Sequence, residues 1–255
     1  MSFSLSLGDF YVANFSVSRS LLHLHYGLPN PSLGRIRIMT AMTRTWWALV
    51  VACVAAAVTA YALTVAPAGP RSIRSFDPDR TAALELDMWQ AYYAKERVRL
   101  FRLLVTMLRE QYHYPWSTAA TEGFYLARAA ATFGDATSQY ETVVPDLEVA
   151  YATARRWLGA GFDPRRVARA ELAWWVARRT KGQNDVENVG RLIAEAYALL
   201  YEAPFDDMLK PGLLRAEAAA LRDAQAAAPD WPTIGRLLTE SYRQLHANLS
   251  KAAAD

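Results

Sequence analysis

The chain holds one cysteine among its 255 residues. That excludes a disulfide framework within it and a zinc site built from several thiolates. Glycine and proline are scarce, at 12 each, which excludes a collagen-like or Pro/Gly low-complexity chain. A hydrophobic content of 53% excludes a disordered one. Acidic residues are almost missing from the first seventy positions, where Arg19, Arg35, Arg37 and Arg44 face only Asp9. That flank therefore carries the whole formal charge of +3, and residues 71–255 balance to zero. A nucleic-acid binder carries its basic surplus on its folded part, so no nucleic-acid partner is expected. Gly-rich phosphate loops, nucleophile elbows and zinc-protease patterns are also lacking. After residue 70 no Val-rich alternation marks a strand, and the expected fold class is all-α.

What is present begins with an apolar run. From Trp46 to Ala66 the chain reads WWALVVACVAAAVTAYALTVA without a charge, and Cys53 lies inside it. At about 1.5 Å per residue such a helix spans roughly 30 Å, the hydrocarbon thickness of a bilayer. Trp46, Trp47 and Tyr61 stand where interfacial anchors belong. Ala60-Tyr61-Ala62 fits the small-x-small rule of a cleaved signal, yet a cleaved signal's apolar region runs only about 7–15 residues. An uncleaved single-pass anchor over 45–67 is expected, with the lipid bilayer as a partner, a tail over 1–44 and a linker over 68–75. Arginines flank both sides of the run, so charge hardly sets the orientation. The short N-terminal flank favours that end inside and the large domain on the extracytoplasmic side. Met39 and Met42, just before Arg44, are candidate starts, and the residues before them are expected to be either an over-extended reading frame or an ordinary flexible tail.

The second feature is an internal repeat. Phe76–Trp89 reads FDPDRTAALELDMW and Phe162–Trp175 reads FDPRRVARAELAWW, with eight of fourteen positions alike. Chance gives about one match in such a window. The likeness continues from Arg102-Leu103-Leu104 to Arg191-Leu192-Ile193, from Gly123 to Gly212, and from Tyr151 to Tyr242. Two helical units are expected, 76–161 and 162–250. Asp77-Pro78 and Asp163-Pro164 are helix starts, Asp capping free amides and Pro fitting the first turn. The first unit has no breaker before about Tyr112, which predicts one helix of over thirty residues. In the second, Gly182 and Asn184-Asp185 predict a hairpin. Further helices are expected over 119–133, 142–159, 208–225 and 232–250. The two units are expected to pack through their equivalent faces as a duplicated helical bundle with a pseudo-two-fold axis.

Glu85 and Glu171, with Trp89, Trp175, Arg80 and Arg166, are the candidate ligand-binding residues. Each glutamate lies on its apolar stripe, four residues before Trp89 or Trp175. A carboxylate there is costly unless it is paired or protonated. The repeat also retains Arg80 and Arg166, so the expectation is a crossed pair of buried salt bridges, Glu85 to Arg166 and Glu171 to Arg80. The alternative is a ligand pocket between the units, lined by these carboxylates and by Trp89, Tyr92, Tyr93, Trp174 and Trp175, for a small molecule, cofactor or metal. Glu110-x-x-His113 matches half of a di-iron pattern, but no second copy exists, and no metal site is assigned. The composition names no cofactor. With no complete catalytic constellation, the leading expectation is a membrane-anchored, non-enzymatic helical module for a protein partner or scaffold.

Overall fold

A computed structural model describes the backbone of residues 31–251 and the side chains from Trp46. Among the described residues there are nine α-helices and no strand. The first is α1 (Pro31–Thr64), followed by α2 (Pro78–Tyr93), α3 (Arg97–Tyr112), α4 (Trp116–Asp135) and α5 (Val144–Leu158). Then come α6 (Pro164–Arg179), α7 (Val186–Tyr201), α8 (Phe205–Ala224) and α9 (Trp231–Lys251). A 3₁₀ turn (Tyr140–Val143) leads into α5.

The chain divides into two units at Val54/Ala55, inside α1. Residues 1–30, most of the expected tail, lie outside the described residues. From Pro31 the chain is helical where a tail was expected. Within α1 the stretch Trp46–Thr64 is long and apolar enough to cross a membrane, and its side chains are exposed rather than packed in a core. The Thr64 hydroxyl donates to the Ala60 and Tyr61 carbonyls at 3.0 Å, so the helix itself satisfies it.

In the second unit, helices α2 to α9 form a closed ring. Each packs chiefly on its neighbours in the chain, and α9 closes back on α2. Short connections turn the chain between successive helices, so they alternate in direction. Contacts fix the two ends of the ring. At one end the C-termini of α2, α4, α6 and α8 meet: Arg178 bonds the Tyr93 hydroxyl and Asp223, and Arg179 bonds the Phe133 carbonyl. At the other end Phe76, before α2, packs on Tyr201 of α7 and His246 of α9.

Local chemistry explains the element boundaries. The Asp77 carboxylate accepts from the amides of Asp79 and Arg80, and Asp163 does the same for Arg165 and Arg166. The single long helix expected before Tyr112 is instead two, α2 and α3. Lys95 takes φ 58°, its N–H bonds Tyr92 O, and the Glu96 N–H bonds Ala91 O. This is a Schellman closure with lysine where glycine is usual, so no breaker residue announced it. The expected hairpin at 180–185 is present, with Asp185 capping α7 through the Asn188 amide.

α7 and α8 make the most extensive pairing, because two glycines let their backbones approach. A Cβ on Gly190 would stand 2.9 Å from Leu213 Cα, and one on Gly212 would stand 2.9 Å from Ala194 N. Pro211 inside α8 removes the donor that would reach Asp207 O. The Asn248 side chain of α9 supplies that bond at 2.5 Å, while the Ser241 hydroxyl donates to Pro211 O at 2.8 Å.

The linker after α1 is held against the ring. The Arg71 guanidinium lies 4.0 Å above the Trp157 ring. Arg74 donates to the Tyr201 and Glu202 carbonyls at 2.7 and 3.0 Å, satisfying the C-terminal end of α7.

Candidate functional site

The ring encloses a cavity of about 630 Å³, to which all eight helices contribute side chains. Its wall is mainly aromatic and aliphatic, with Trp89, Tyr92 and Tyr93 from α2, Trp174 and Trp175 from α6, Tyr197 and Tyr201 from α7, Tyr151 from α5 and Tyr242 from α9. Glu85, Glu171 and Arg215 are the charged groups half-way down, and Arg178, Arg179, Arg222 and Asp223 stand at one end. Arg179 and Asp223 are the exposed residues of this lining. The cavity therefore opens where the C-termini of α2, α4, α6 and α8 meet.

Glu85 and Glu171 both face this cavity, and each accepts a hydrogen bond from the indole one helical turn on. Trp89 Nε1 reaches Glu85 Oε1 at 3.0 Å, and Trp175 Nε1 reaches Glu171 Oε1 at 2.9 Å. Beyond that the two carboxylates differ. Glu85 is 3% exposed, and its Oε1 accepts from Arg215 Nε at 2.9 Å and from a second guanidinium nitrogen. Its Oε2 is buried without a partner. Glu171 is only partly buried and sits against the Tyr151 hydroxyl. Among the described residues no arginine or lysine pairs with Glu171.

The crossed salt bridges do not form. α2 packs on α3 and α9, and α6 on α5 and α7, so the two Glu-bearing helices are not each other's main neighbours. Arg80 is exposed and pairs with Glu110 instead, at 2.8 Å. Arg166 is exposed at the start of α6, where its amide helps the Asp163 cap. Neither arginine lines the cavity. The same geometry places Glu110 and His113 elsewhere: Glu110 is taken by Arg80, and His113 is the left-handed C-cap of α3. Among the described residues no three acidic, histidine or cysteine side chains gather as metal ligands do.

Sequence reasoning missed Arg215, Tyr151, Tyr197, Tyr242, Arg222 and Asp223. A signal for Arg215 existed, since apart from Glu217 it is the one charge among Leu213, Leu214, Ala216, Ala218 and Ala219. Its guanidinium also lies 4.8 Å from the Trp174 ring centre. Burial in this wall raises the pKa of Tyr151, Tyr197, Tyr201 and Tyr242, so all four stay protonated as donors near neutral pH. Tyr112 hydrogen-bonds Tyr201 at the closed end. Nearby but outside the cavity, Glu122 of α4 is buried against Tyr114, with Oε2 unpartnered. Burial pushes its carboxyl up to about 8, against a smaller pull downward from the Tyr114 hydroxyl.

Inside the ring, then, one carboxylate is neutralised by Arg215 and the other is held by neutral donors in an aromatic chamber. Such a chamber can take an apolar body and a cationic group. No protein-family model, curated protein or solved structure matches this chain.

Proposed function

We propose that this protein is a membrane-tethered binder of a small, partly aromatic organic cation, which it holds in the ring cavity against Glu171. The observation that carries this reading is the unequal treatment of two otherwise matched glutamates. Three of the four helix pairs in α2–α9 have matching lengths, 16 residues in α2 and α6, 16 in α3 and α7, and 20 in α4 and α8, while α5 and α9 differ at 15 and 21. Together with the shared Asp caps and Glu–Trp bonds, these lengths support a duplicated ancestor with a pseudo-two-fold relation. In that relation the counterpart of Gly212 is Gly123, so the counterpart of Arg215 is Leu126, which also lines the cavity. Glu85 thus has its arginine, while the repeat aligns that arginine with Leu126 in the other half, and among the described residues no arginine or lysine bonds Glu171. A carboxylate half-way down an aromatic cavity without its counterion is a receptor for one.

The tether is the apolar stretch Trp46–Thr64, supported by its length, exposure and terminal tryptophans. Membranes washed at alkaline pH should retain the full chain, and its release into the wash would remove the tether from this reading. Binding is tested on the full chain in lipid nanodiscs. Phenylbutylamine should quench tryptophan emission saturably, whereas phenylbutanol, its neutral analogue, should bind about tenfold or more weakly, as expected for loss of one charge-assisted hydrogen bond. E171Q should erase that preference. Equal binding of amine and alcohol to the wild type would overturn the reading.

A further inference from the structure

We infer that the ligand is a zwitterion, its second charge an anionic group bound at the mouth by Arg178 and Arg222. This inference rests on the reading of Glu171 above and adds the other end of the molecule. Glu171 and Arg178 lie on one helix seven residues apart, which is two turns and about 10 Å along its axis. The wall between them is aromatic. At the mouth two guanidinium groups share one carboxylate. Arg178 donates to Asp223 Oδ2 at 2.9 Å, and Arg222 donates to Asp223 Oδ1 at 3.2 Å. The arginine side chains are only 15% and 16% exposed, whereas Asp223 is 42% exposed. Water therefore compensates the second positive charge poorly. Arg222 lies face-on to the Tyr93 ring, 3.2 Å from its centre, so the group is set in place rather than waving in solvent.

Arg179, the third arginine of the mouth, does not belong to this surplus. It donates to the Phe133 and Ala136 carbonyls at 2.6 and 3.2 Å and offsets the C-terminal charge of α4. Arg215 bonds Glu85 and reaches Glu171 only through space, so Glu171 lacks a bonded cation, while at the mouth Arg178 and Arg222 have one carboxylate between them. A molecule with an amine and a carboxylate or phosphate at about that separation neutralises both together.

The test compares phenylbutylamine with para-(aminobutyl)benzoate, which adds a carboxylate at the far end of the same body. Both are titrated against the full chain in nanodiscs by tryptophan quenching. The wild type should prefer the zwitterion by about tenfold or more, the effect of one charge-assisted hydrogen bond. R222M should bring that ratio towards one. D223N, which frees both arginines, should raise it, and because the two variants move the ratio in opposite directions, general damage to the fold cannot imitate the result. A wild-type ratio near one, or a fall in both variants, would overturn the inference while leaving the Glu171 reading intact. Failure of both compounds to bind would remove the Glu171 reading, and this inference with it.

Discussion

Replacing Arg215 with methionine isolates the value of the buried pair that closes one side of the cavity. Methionine keeps much of the volume against Trp174 but removes every charged donor from Glu85. Glu85 would then be a carboxylate 3% exposed with one remaining bond, from Trp89 at 3.0 Å, and with Oε2 already unpartnered. Breaking a buried pair from one side costs about 3–5 kcal/mol, because the surviving charge is left in a medium that solvates it poorly. For a domain of this size about 1 kcal/mol moves Tm by 2–4 °C, so R215M should melt about 6–20 °C below the wild type. The assay is thermal unfolding of the full chain in detergent, followed by near-UV circular dichroism, to which the adjacent tryptophans contribute. The double variant E85M/R215M should regain most of the loss, since two apolar side chains of similar size leave no orphaned charge. A double variant no more stable than R215M would refute this account of the pair. So would an R215M melt within about 2 °C of the wild type.

Glu122 gives a pH signature. Its folded carboxyl titrates at about 8, above its ordinary value of 4.5, so the folded state holds a proton that the unfolded chain has released. Its contribution is full below the unfolded value and is lost as pH rises through about 8. Stability should fall across that window, and E122Q, which keeps a neutral partner for Tyr114, should flatten the fall in denaturant titrations at successive pH values. An unchanged slope would exclude Glu122 as its source. At the α7–α8 contact, G212A should destabilise by about 1–3 kcal/mol in the same titrations, because the new methyl must push against the α7 backbone at Ala194. A variant as stable as the wild type would show that the two helices can part without cost.

Much of the fold was legible because the repeat signals act locally. The Asp-Pro starts cap α2 and α6 through bonds two and three residues away, and the four-residue spacing of glutamate and tryptophan places both on one helix face. Those relations survive any tertiary arrangement. The α2–α3 break was not legible, since its left-handed residue is Lys95 and a lysine there looks like any exposed helical position. The crossed salt bridges failed for a topological reason. Equivalent helices in a ring stand across from one another with a cavity between them, so each glutamate must find its partner on another helix. Arg215 could have been singled out as a charge in an alanine-leucine face, but only closure of the ring brings α8 beside Glu85. The mouth was equally hidden, because Tyr93, Arg178 and Asp223 are 45 or more positions apart and meet only through the alternation of helix direction.

The clasp of Arg71 and Arg74 on Trp157 and on the last carbonyls of α7 has a directional consequence. Both contacts fall at the closed end of the ring, opposite the arginine mouth. Residues 71–74 are thereby pinned away from the opening, so the segment that leads into α2 cannot fold across the mouth and block it.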